Sequence, residues 1–127
     1  MARAFACFLL MLAGCAAHTT GSIQINGTTF VPARCNSGQA LGFAGVELAD
    51  AQQRRLRLAH ALDGRFEAVY FPPGAPLGDS LGSCGTMTLK TGVAVVNGVK
   101  NVEGFAQLRC DTGSVKVIGD VTFEGCH

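Results

Sequence analysis

Four kinds of residue in this 127-residue chain could do chemistry. The first is Ser80, within "GDSL" (Gly78 to Leu81), a hydroxyl that would need a neighbouring base to become a nucleophile. The second is the set of three histidines, His18, His60 and His127, each a possible base or metal ligand. The third is "QRRLR", Gln53 to Arg57, three guanidinium groups that could meet an anionic surface. The fourth is the set of six cysteines, at 7, 15, 35, 84, 110 and 126. Each chemistry needs an element that holds the residue against its partners, so the elements decide between the readings.

"GDSL" is identical to the nucleophile block of a large family of lipases and esterases. That resemblance implies an attacking Ser80 and a C-terminal acid-x-x-His, matched here by Glu124 and His127. The family's block follows the first strand of an α/β sheet. Here it follows "PPGAP" in a chain without βαβ rhythm, and only 46 residues remain after Leu81. A tetrapeptide outside its structural context is weak. "LGDSLG" reads as a turn, Ser80 as the remote esterase alternative, and the chain as not an enzyme. The histidines are widely separated, and no cysteine pair has C-x-x-C spacing, so neither a metal nor a cofactor is expected.

The segments after Ser22 alternate and turn like an all-β protein. Asn26-Gly27 is a type I′ turn pair between "SIQI" and "TTFV". Leu56, Leu58 and His60 alternate with charged or small residues, and so do Phe66, Ala68 and Tyr70. A three-residue loop, Leu62-Asp63-Gly64, sets His60 opposite Phe66, Leu58 opposite Ala68 and Leu56 opposite Tyr70. All six then share one face, with His60 half-buried. Asp50 to Arg54 forms at most a helical turn, and the cationic run is a solvated strand edge or a contact for lipid head groups or peptidoglycan. Phe71 to Gly85, rich in Pro and Gly, reads as a long irregular connection. Four strands follow, near 86–90, 93–97, 102–110 and 114–124, with turns at Thr91-Gly92, Asn97-Gly98 and Asp111 to Gly113, and a bulge at Gly119. The expected fold is a small sandwich or flattened barrel of roughly eight short antiparallel strands.

The N-terminus says where such a domain lives. After Arg3, "AFACFLLMLAG" (Ala4 to Gly14) carries no charge. As a helix it would span roughly 16 Å at ~1.5 Å per residue, too short for a bilayer core, and it reads as a secretory leader. Leu12-Ala13-Gly14-Cys15 resembles the lipobox of bacterial lipoproteins. The resemblance implies cleavage before Cys15 and attachment there of diacylglyceryl and fatty acyl (palmitate-type) chains. Ala16, where inner-membrane retention would require Asp, implies the outer membrane. The chain then divides into a signal peptide (1–14), a lipidated tether (15–21) and one β domain (22–127).

Residues 15–127 number 113, enough for one domain. Removing Arg3 leaves nine basic residues against nine acidic ones, so there is no basic excess to bind nucleic acid. Cys7 leaves with the leader. Cys35, Cys84, Cys110 and Cys126 remain, an even number in an exported domain, and so two disulfides. In a four-strand meander Cys84 and Cys126 share one end of the sheet and Cys110 lies at the other, which favours Cys84–Cys126 with Cys35–Cys110.

Short strands and paired cysteines on a lipobox resemble small bacterial lipoproteins of unassigned activity. The function expected is a membrane-anchored, non-catalytic structural or interaction module of the envelope, with an envelope protein as partner. The alternative is a periplasmic inhibitor or ligand-binding lipoprotein. Membrane-bound lysozyme inhibitors are also lipidated, disulfide-linked β domains, though the chain has no Ser-Gly-x-x-Tyr loop of their type.

Overall fold

The structure is a computed structural model, and it describes residues 17–96 and 98–127, without the side chains of 93–96 and 99. The expected leader, Cys7, Cys15 and Asn97 of the expected Asn97-Gly98 turn lie outside the described residues.

Among the described residues ten strands form two five-stranded antiparallel sheets, packed as a sandwich. They are β1 (His18–Ile25), β2 (Thr28–Phe30), β3 (Arg34–Ser37), β4 (Ala44–Ala49), β5 (Arg55–His60), β6 (Phe66–Phe71), β7 (Asp79–Gly82), β8 (Gly85–Val96), β9 (Val99–Asp111) and β10 (Lys116–Cys126). The first sheet runs β2-β1-β10-β9-β8 and the second β3-β4-β5-β6-β7. Chain ends therefore build one sheet, and the middle of the chain builds the other. Period-two alternation fills the space between them. Ile23, Ile25, Ala106, Leu108, Val117, Val121 and Phe123 come from the first sheet, and Val46, Leu48, Leu56, Leu58, Ala68 and Tyr70 from the second. Every one of these is buried.

Two hairpins follow their turn chemistry directly. Asn26 and Gly27 both have positive φ, 50° and 79°, as a type I′ turn requires, and Ile25 pairs with Thr28 across it. Between β5 and β6, the Ala61 N–H donates to the Arg65 carbonyl at 2.8 Å, leaving Leu62-Asp63-Gly64 as the loop. The register is His60 with Phe66, Leu58 with Ala68 and Leu56 with Tyr70, as the alternation predicts.

Several expectations are corrected. The domain does not begin at Ser22: His18 to Gly21 belong to β1 and pair with Val121 to Glu124 of β10, so they are no tether. Gly78-Asp79-Ser80-Leu81 is no turn: Asp79 to Gly82 form the edge strand β7, with Ser80 opposite Val69. Asp50 to Arg54 is a tight connection and not a helical turn. Asp50 Oδ1 accepts from the Gln52 and Arg54 N–H groups, and Gln53 sits at φ 65°. Gly119 pairs regularly with Leu108 and Ile23; the irregularity in β10 falls between Phe123 and Cys126.

The largest correction concerns Thr91-Gly92. No turn forms there, and β8 runs through it as one twelve-residue strand. Against β9, the register jumps from Thr91 opposite Val102 to Val95 opposite Lys100, so β8 carries two extra residues. Asn101 closes over Gly92 and fills the space where a Cβ would stand. The glycine marks a bulge and a close approach, not a reversal.

This removes one reversal from the meander and exchanges the disulfides. Cys84, just ahead of β8, now lies beside Cys110 at the end of β9. The two are joined, with Cα atoms 5.0 Å apart, and the Arg109 N–H donates to the Cys84 carbonyl at 2.9 Å. Cys126 at the far end of β10 is joined to Cys35 of β3, which ties the two sheets together. The pairs are Cys35–Cys126 and Cys84–Cys110, not Cys84–Cys126 and Cys35–Cys110.

Candidate functional site

The residues that could do chemistry are kept apart by this fold. Ser80 is exposed on edge strand β7. His60 lies on β5, where its Nε2 sits 3.0 Å from the Met87 carbonyl and, as the N–H donor, bridges the second sheet to β8 of the first. His127 folds back at the C-terminus, with Nδ1 2.8 Å from the Gly125 carbonyl. Neither ring is hydrogen-bonded to Ser80 among the described residues, and Glu124 is paired in register with His18. No group of three His, Cys, Asp or Glu able to hold a metal ion occurs among the described residues.

The arginine run is spent inside the molecule. β5 is the central strand of its sheet and not an edge. Glu47 on β4 is 6 % exposed although it belongs to the outward face, because two guanidinium groups cover it. Arg55 reaches Glu47 Oε1 at 3.1 Å, and Arg57 reaches Oε2 at 2.8 Å. Both lie over the Phe71 ring, at 4.2 and 5.1 Å from its centroid, and Arg57 also covers Phe43 at 4.7 Å. Arg54 is held by Asp50 at 2.6 Å and donates to the Thr29 carbonyl, so it ties the β4–β5 connection to the first sheet. A solvated strand edge is therefore wrong for this cluster, and two carboxylates already offset most of the charge of its three guanidinium groups.

A cleft remains. It opens at the end of the sandwich where β5 turns into β6 and β8 approaches its bulge. Its volume is about 1060 Å³, and its walls include Phe43, His60, Leu62, Leu89, Lys100 and Val102. The walls are mainly apolar, and Lys100 and Glu67 stand exposed at the mouth. Such a space can receive an apolar group from outside; among the described residues of its walls no nucleophile is paired with a base. The sequence shows no signal for it, because its walls come from β3, β4, β5, β6, β8 and β9. Only His60, read as half-buried on the core face, was a legible part of it.

Two antiparallel sheets bridged by a disulfide define the fold class as a β-sandwich. Compared with protein-family models, curated proteins and solved structures, the chain matches none.

Proposed function

We propose that the chain is an envelope lipoprotein: a β-sandwich, non-catalytic, held at the bacterial outer membrane by a lipid on Cys15 and serving as a structural or interaction module for another envelope protein. The observation that carries this reading is the leader Ala4 to Gly14 ending in Leu12-Ala13-Gly14-Cys15. The two disulfides support it, since such bonds persist in oxidising compartments. The balanced charge of residues 15–127 argues against nucleic acid as a partner. Two or more acyl chains would give a stable anchor, at about 0.8 kcal/mol per buried CH₂.

The experiment is fractionation of cells making the parent and Cys15→Ser. The parent should sediment with outer membranes, and the variant should be soluble or remain unprocessed with its leader attached. Equal partition of mature-sized protein in both would refute the anchor. A second reading, a ligand-binding lipoprotein, is favoured by the cleft beside His60.

A further inference from the structure

The second sheet crosses beneath β8 of the first, and the crossing can be followed strand by strand. The Phe66 ring at the start of β6 stands beside Gly85, and His60 at the end of β5 reaches the Met87 carbonyl. Ala44 at the start of β4 pairs with His60 and lines the cleft together with Leu89 and Thr91. The β5–β6 loop, with Leu62 fully exposed on it, therefore lies beyond the β8 edge.

Among the described residues β8 is an outer strand of its sheet. It has twelve residues, against three for β2, four for β3 and four for β7, the other outer strands. Short outer strands protect a sheet from gaining a further strand, and β8 lacks that protection. The bulge that would twist it away begins only after Thr91. Along an antiparallel strand the backbone groups of successive residues turn to opposite sides. The Cys84 carbonyl accepts from the Arg109 N–H, so residues 84, 86, 88 and 90 turn to β9. Residues 85, 87, 89 and 91 turn outward, and on that side His60 satisfies the Met87 carbonyl. The N–H and C=O groups of Leu89 and Thr91 have no strand beside them and open on the cleft.

We infer that an extended segment of the partner protein adds to β8 here as a further strand, about 4.8 Å beyond it. Its backbone pairs with Leu89 and Thr91. Its alternate side chains are apolar and enter the cleft against Phe43, Leu62 and Leu89. The charge at the mouth selects an acidic residue beside them. Glu67 lies 3.7 Å from Arg65, whereas Lys100 makes no ion pair among the described residues. A second copy of this chain fits less well. Paired edge to edge about a two-fold axis, it would bring its own β5–β6 loop to the face where the first copy's loop already stands. The inference rests on reading the chain as an interaction module, and not on the anchor.

Two measurements on the full chain with its disulfides formed test this. The first is amide hydrogen exchange resolved by NMR. In the free protein the Leu89 and Thr91 amides should exchange quickly, and those of Thr88 and Lys90, which turn to β9, slowly. The second is selection from a phage library of short random linear peptides. Enriched peptides should alternate apolar residues, carry an acidic one, and slow exchange at Leu89 and Thr91 by about tenfold or more. Thr91→Pro removes one outward N–H and leaves the β9 ladder intact, as proline can on an outer strand. It should weaken these peptides about three- to tenfold, the worth of one hydrogen bond. Lys100→Glu should weaken them about tenfold or more, and it keeps the test open if the proline variant does not fold. Lys116→Glu, at the far end of the sheet where Lys116 pairs with Asp111, should stay within about twofold. Protection of Leu89 and Thr91 that rises with protein concentration in the free chain would assign the edge to a second copy. Peptides that ignore both Thr91→Pro and Lys100→Glu would move the interaction to another surface and leave the module reading intact. If no peptide is enriched, edge addition is overturned, and the anchor, judged by the Cys15→Ser fractionation, is untouched.

Discussion

Glu47 is the residue on which the outer face of the second sheet depends. It is buried between Arg55 and Arg57, whose own side chains keep 33 % and 31 % exposure. Removing a fully buried partner costs about 3–5 kcal/mol, and the exposure of the arginines reduces this. Glu47→Ala should therefore lose about 1–3 kcal/mol in urea unfolding. Glu67→Ala, whose side chain is 50 % exposed, should stay within about 0.5 kcal/mol; equal losses would show that the guanidinium pair does not depend on Glu47. The cationic run was visible in the sequence but its partner was not. Glu47 lies eight and ten residues before its arginines, and only the β4–β5 register brings them together. Tyr70 gives a pH prediction. Burial is the main cause that raises its phenol above the ordinary value of 10.0, with Asp50 and Asp79 adding to this and Arg54 opposing it. Above pH 10 the unfolded chain releases this proton before the folded one does, so stability falls as pH rises through that window. Tyr70 is the one tyrosine in the chain, so tyrosinate absorbance should titrate above 10 in the folded protein and at about 10 in denaturant. Coincident titrations would place the phenol in water.

At the scale of elements, the β1–β2 and β5–β6 hairpins were legible because turn residues and alternation agree within a dozen residues. β8 was not. Thr91-Gly92 carries the signal of a reversal, and nothing local states that Asn101 from β9 will occupy the space over Gly92. That single difference reverses the direction of β8 relative to β9, brings Cys84 beside Cys110 and exchanges the disulfide partners. The pairing makes two predictions. Non-reducing peptide mapping should give Cys35–Cys126 and Cys84–Cys110 peptides; a Cys84–Cys126 link would restore the shorter strands. The bonds should also differ in weight, since their sequence separations are 91 and 26. Loop entropy assigns about 4–5 kcal/mol to the first and about 3–4 kcal/mol to the second. Replacing Cys35 and Cys126 together by Ala should lower the denaturant midpoint more than replacing Cys84 and Cys110. The reverse order would mean that the tie between sheets constrains the unfolded chain less than its length implies.

For the whole molecule, the all-β class was readable from alternation and turn residues spread along the chain. The division into two sheets was not, because it depends on β1 from one chain end joining β10 from the other. Nor was the cleft, which exists only where six strands converge. On the lipoprotein reading β1 places the molecule: His18 already pairs with Glu124, so only a short link holds the sandwich to an anchor at Cys15. All of this turns on the chemical state of Cys15. Mass spectrometry of the N-terminal peptide of protein taken from the membrane fraction tests it most directly. The account predicts a chain that begins at Cys15 and carries a diacylglyceryl thioether with a further acyl group on its amine. A chain that begins at Ala16 or Ala17 with a free amine, or one that retains residues 1–14 with an unmodified Cys15 thiol, would contradict it.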